Sequence, residues 1–141
     1  MSRWLNRFQP WGVLLLRLVL GVAMVVHGYP KVVPSGGFHN GQFLAALNRY
    51  THYVSTLGLP YWLGYVSAFT EFVGGICLLL GLLTRFFSFL AAIDLLVAIV
   101  AVDRHRGYSG LEGALALAAI AIMLMLAGPG KAALDRKIGF S

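Results

Sequence analysis

Charge is what this sequence has least of. Of 141 residues only 11% are Asp, Glu, Lys or Arg, against about 25% in a soluble domain. Five are acidic and eleven basic, a net +6, but no basic run is long enough to follow a nucleic-acid backbone, so nucleic acid is set aside as a partner. The excess of Lys and Arg sits at the ends of apolar segments and in loops, which suits anionic lipid headgroups. Cysteine is nearly absent. Cys77 alone cannot form an internal disulfide or a Cys-x-x-Cys pair, which excludes thiol–disulfide chemistry of the paired-cysteine type. Within an apolar run, it reads as a small buried hydrophobe. Histidine pairs at metal-binding spacing are also missing. There is no His-x-x-x-His and no Glu-x-x-His, and His27 and His105 both fall near segment ends, so metal and haem ligation are poorly supported.

Apolar residues are abundant. They make up 59% of the chain, with mean hydropathy +0.79, and a surplus of this size has to face lipid. A bilayer core about 30 Å thick takes about 20 apolar residues in a helix. Four stretches meet that length, at residues 11–28, 60–83, 86–102 and 111–127. Glycine or proline punctuates nearly every junction. Only Thr84-Arg85 separates the second stretch from the third, which makes an antiparallel hairpin. The first stretch follows Arg3 and Arg7 like a signal peptide, but it runs into His27-Gly28-Tyr29-Pro30 without a small-x-small cleavage site and reads as a retained span.

Residues 38–57 have a different pattern. Phe43, Leu47, Tyr50, Val54 and Leu57 recur every three or four positions, while Asn48, Arg49, His52 and Ser55 take the other face. This predicts an amphipathic helix at the membrane surface, either capping the bundle or controlling access from the headgroups. The fold class expected is all-α: one transmembrane domain, 1–141, a four-helix bundle with an interfacial helix between spans one and two. Lys and Arg are more numerous on the side of the two termini, which places both termini in the cytoplasm.

Ionisable groups at membrane depth cost at least about 2.5–3.5 kcal/mol and are either paired or functional. Arg17, Glu71 and Asp94 lie within spans, and Glu112 at the entrance to the fourth. At 1.5 Å per residue, Arg17 and Asp94 sit about 9 and about 12 Å from the terminal side. They are level enough for a structural ion pair. Glu71, about 18 Å up, has no level partner. Small residues share the faces of these groups: Gly64, Ala68 and Gly75 with Glu71; Ala91, Ala98 and Ala101 with Asp94; Gly21 and Gly28 with Arg17. Such stripes mark helix–helix contacts. A second group, His27, Lys31, Asp103, Arg104, His105, Arg106 and Glu112, gathers at the far side. It reads as a solvated headgroup rim or as a proton relay.

The order His27-Gly28…Lys31, Gly58-Leu59-Pro60, Glu71-x-x-Gly74-Gly75…Leu80-Gly81-Leu82-Leu83-Thr84-Arg85, Glu112, Gly128-Pro129-Gly130…Leu134-Asp135 resembles the DoxX family over residues 16–135. The resemblance implies a four-helix protein of the bacterial cytoplasmic membrane, related to the membrane subunit of a thiosulfate:quinone oxidoreductase. It also implies a role in handling quinone or anchoring a redox partner. Asp94 and the run 103–106 match nothing in that pattern.

The function expected is a membrane subunit of a quinone-linked redox system, with quinone as the bound substrate and other subunits or further copies of the chain as partners. Glu71 and His27 would be catalytic, Glu71 as proton carrier and His27 linking it to outer water. Arg17, Lys31 and Glu112 would bind substrate, with Arg17 tuning Glu71 or holding an anionic semiquinone or sulfur oxyanion. Tyr29, Tyr61 and Trp62 would line the slot or form an ordinary aromatic belt. The rival readings are a non-enzymatic scaffold subunit and a small proton or solute carrier. The carrier is the weaker of the two, since neither an internal repeat nor a broken helix is apparent.

Overall fold

A computed structural model describes residues 6–37, 44–102 and 107–139. His39, Phe43 and the run Asp103–Arg106, which the sequence placed in the interfacial segment and the far rim, lie outside the described residues. Within them the chain is all helix, without a strand: α1 Gln9–Val32, α2 Ala45–Thr56, α3 Tyr61–Leu80, α4 Thr84–Ala101, α5 Tyr108–Ala127 and a short α6 Leu134–Ile138.

Three helices, α1, α3 and α4, are long and apolar enough to cross a membrane. The fourth, α5, has 20 residues, and its apolar stretch Leu111–Ala127 is shorter than the length of the other three. Large apolar side chains such as Leu15, Val22, Val26, Phe69, Phe89, Val100 and Leu126 cover the outside of the bundle. In water they would form an extensive exposed patch; against lipid tails they are solvated.

The expected span limits shift at two places. The first helix does not stop before Pro30 but runs through it to Val32. Proline forfeits one hydrogen bond, to Val26, and its preset φ is helical, so a span supported on its inner face tolerates it. The hairpin between α3 and α4 turns at Gly81–Leu83 rather than at Thr84-Arg85. Gly81, at φ +65°, closes α3: its N–H donates to Leu78 and that of Leu82 to Cys77. This double closure is the usual way a left-handed glycine ends a helix.

Span two is also not uniform. Residues Thr70–Gly74 form a π-helical turn between two α-helical halves. A wider turn of this kind is costly in a plain helix and frequent at functional sites. The absence of a broken helix was an argument against a carrier, and this distortion weakens it.

The small-residue stripes do pack as expected. Gly21, Met24 and Gly28 of α1 and Gly64, Ala68, Gly75 and Leu78 of α3 are buried. At Gly75 an added Cβ would stand 2.8 Å from the Val25 backbone N, and at Gly28 it would stand 2.6 Å from the Phe72 backbone N. Spans one and two therefore touch backbone to backbone at Glu71–Phe72 and again one turn later at Gly75. Behind them Leu20, Leu78, Phe87, Ala91, Ala121 and Leu124 form the apolar core with α4 and α5.

Candidate functional site

The close contact at Gly28 decides what Glu71 meets. Because α1 continues one turn past it, Lys31 sits beside the π turn and pairs with the Glu71 carboxylate. A cation in the last turn of α1 is also favoured by the helix dipole. Glu71 is 7% exposed. The carboxylate that seemed to lack a level partner is thus paired, and Lys31, expected at the rim, is its counter-ion.

Two further groups complete the cluster. Lys31 Nζ donates to Tyr50 Oη at 3.0 Å, and Tyr50 Oη shares a hydrogen bond with Ser67 Oγ at 2.8 Å. Tyr50 comes from α2, the interfacial helix, and Ser67 lies one turn before Glu71 on α3. Asp94 of α4 faces them, interacting with Glu71, Ser67 and Lys31. These side chains line the polar end of a cavity of about 130 Å³. Its remaining walls are apolar, among them Val54 and Leu57 of α2, Leu63 and Val66 of α3, and Leu90, Ile93 and Val97 of α4. Val66, Ile93 and Val97 are at the same time exposed on the outside of the bundle. The apolar end of the cavity therefore reaches the lipid-facing surface between α3 and α4.

The chamber has the elements of a proton-handling site: two carboxylates facing each other, a lysine paired with one of them, a phenol and a hydroxyl. Among the described residues, no three His, Cys, Asp or Glu side chains converge as metal ligands.

Other expected site residues lie elsewhere. His27 is exposed and its Nδ1–H donates to the Ala23 carbonyl at 2.8 Å; it does not line the chamber. Glu112 is exposed at the start of α5 and does not line it either. Tyr29, Tyr61 and Trp62 are about half exposed and form no slot; Tyr50 and Tyr53 supply the chamber's aromatic side chains.

Arg17 requires the largest correction. It does not pair with Asp94 or Glu71. Although 1% exposed, it points to the end where both termini lie. Nη1 donates to Pro129 O at 2.5 Å and to Lys131 O at 3.3 Å, and Nη2 to Ala132 O at 3.0 Å. Asp135, 2% exposed, completes this knot by accepting from Leu83 N at 2.5 Å and Thr84 N at 2.8 Å. Among the described residues Leu83 and Ala132 are the two non-glycine residues with left-handed backbone, at φ 48° and 50°. Each is held there by one of these charged side chains, the over-determination that such strain requires. The depth estimate took no account of the loop after α5, which supplies the partners of Arg17.

Sequence reasoning missed Tyr50 and Ser67 as site residues. Ser67 precedes Glu71 by four positions, a same-face spacing that was available. Tyr50 was read only as part of an apolar stripe.

Residues 12–104 match the family profile described as DoxX. Over 106 residues the chain is 30% identical to a Bacillus subtilis (strain 168) protein named "Putative oxidoreductase CatD", covering 75% of this chain and 70% of that one. No solved structure matches the chain. The family match includes Lys31, Glu71 and Asp94 but ends before Glu112 and the Arg17-binding loop.

Proposed function

This chain belongs to the DoxX family, and on that premise we propose that its chamber binds the headgroup of a quinol or quinone, as the membrane subunit of a redox system. The observation that carries the reading is the second carboxylate. Lys31 is matched by Glu71, so Asp94 leaves the chamber one negative charge in excess when both acids are ionised. An anion would meet two carboxylates and a lysine already paired. A neutral ligand that donates hydrogen bonds is favoured, and a quinol, with two hydroxyls on an apolar ring, has that form. A sulfur oxyanion bound through Arg17, one of the sequence expectations, is dropped: Arg17 is spent on the loop.

Oxidation of a quinol to a quinone releases two protons and two electrons. Glu71 and Asp94 would accept the hydroxyl protons, with Tyr50 and Ser67 holding the ring oxygen in line. Lys31, paired with Glu71, would hold that carboxylate in place beside the ligand. The electrons would pass to a redox group on a partner protein. Entry between Val66, Ile93 and Val97 would let a lipid-dissolved ligand arrive without crossing water.

In this reading α5 is the fourth span; its 20 residues reach about 30 Å. Both termini lie in the cytoplasm. Arg7, Arg85, Lys131, Arg136 and Lys137 stand at the terminal end, the side with more Lys and Arg. The membrane is then the bacterial cytoplasmic one, and the chamber opens in its outer half.

A scaffold role has one observation in its favour: Lys31 and Glu71 already satisfy each other's charge. Glu71→Gln separates the two. As a quinol site, the variant should assemble normally and lose quinone-dependent turnover in membranes. As a scaffold, it should keep turnover and change only the yield of the complex.

A further inference from the structure

The opposite end of the bundle holds a second hollow, of about 340 Å³, between the start of α1 and the loops that close α3 and α5. Arg85 and Arg136 line it, with Gln9, Pro10 and the Pro129–Gly130 turn. Among the described residues no carboxylate lines it. Asp135, the acid nearest in sequence, is turned inward with both oxygens taken by backbone N–H groups. Arg85 is oriented by donating to Met125 O at 3.3 Å, and its guanidinium packs on the backbone at Gly128, where a Cβ would stand 3.3 Å from it. Arg136 has no partner among the described residues. Beside the hollow, Lys131 lies 5.3 Å over the Trp11 ring. Trp11 is half exposed at the beginning of a span, the level at which indoles sit among headgroups.

We propose that this hollow binds the phosphate of an acidic phospholipid, held by the Arg85 and Arg136 guanidinium groups. Guanidinium matches phosphate oxygens with paired N–H donors. Ala127, which also lines the hollow, is exposed at the end of α5 next to the outward-facing Leu126, so the hollow continues onto the apolar face where acyl chains lie. A free phosphate would use the same donors but gain nothing from that apolar continuation, so the lipid is the occupant.

The test uses the whole protein, stripped of lipid in detergent and offered an equimolar mixture of phosphatidylglycerol and phosphatidylcholine with matched chains. Native mass spectrometry reads what is retained. The native sequence is expected to prefer phosphatidylglycerol by about fivefold or more. Arg85→Gln with Arg136→Gln should abolish the preference. Arg7→Gln with Lys137→Gln removes the same charge from the same end and should leave it. Arg136→Gln alone, at an exposed position, should fold regardless and lower the preference by about threefold. Equal retention of both lipids, or equal loss in both double variants, overturns the site. Displacement of the lipid by millimolar inorganic phosphate at no cost to phosphate affinity from removing the lipid would assign the hollow to a free anion and also overturn it.

Discussion

The bundle buries charge at both ends, and the two ends use it differently. At the terminal end, Arg17 and Asp135 spend their donors and acceptors on backbone: three carbonyls for the arginine, two N–H groups for the aspartate. Gly81 is drawn into the same knot, since its carbonyl accepts from Asp135 N at 2.9 Å. Arg17 is 1% exposed and does not line the chamber. At the other end, Lys31, Glu71, Tyr50 and Ser67 bond side chain to side chain, Asp94 faces them as a second carboxylate, and a cavity remains. Backbone partners cannot exchange for a ligand without unfolding a loop. Side-chain partners beside an open space can. Burial of an ionisable group in a membrane is therefore not enough to mark a site; the nature of its partners and the space left over decide.

The largest effect should come from the terminal knot. Arg17→Leu strands three loop carbonyls and frees the left-handed backbone at Ala132, and should cost about 3–5 kcal/mol. Arg17→Lys should recover little of it, because one ammonium cannot replace the planar fork. Thermal unfolding in detergent, followed by circular dichroism, measures both. If Arg17→Leu were as stable as the native chain but lost ligand, the two ends would have been assigned the wrong way round.

Gly28→Ala tests how the chamber is built. Its Cβ would stand 2.6 Å from the Phe72 backbone N, so α1 and the π turn must separate, at a cost of about 1–3 kcal/mol. Lys31 and Glu71 should part with them, and ligand binding should fall together with stability. Asp135→Ala should cost about 1–2 kcal/mol by removing the cap from α4, with ligand binding unchanged. Tyr50→Phe is expected to have the smallest effect on stability, about 1 kcal/mol or less, yet to weaken ligand retention clearly. The contrast between the last two variants, assayed side by side by melting and by ligand retention, is the sharpest check on the division of labour.

Much of this was legible in the sequence. The four apolar stretches, the amphipathic segment and the glycine stripes are periodic signals, and they place Glu71 and Asp94 facing inward. What could not be read was which charges meet. Pro30 is a local stop signal overridden by the packing of Gly28 against Phe72, and only the extra turn brings Lys31 to Glu71. Arg17 and Ala132 are 115 positions apart in their hydrogen bond, a loop closure that no local pattern encodes. The π turn leaves no mark in the residue spacing, since 64, 68, 71, 75 and 78 follow ordinary helical steps. His27 was drawn into the site by its chemistry, but its ring is satisfied within its own helix, at Ala23.

The central claim, that the Lys31–Glu71–Asp94 chamber is a ligand site and the Arg17 knot is not, is tested most directly by adding a short-chain quinol to the purified protein and reading the bound mass by native mass spectrometry. The native chain and Asp135→Ala should retain one quinol per chain, and Glu71→Gln and Asp94→Asn, still folded, should retain little or none. Equal retention by all four would contradict the account and leave the chamber's charges with a structural role alone.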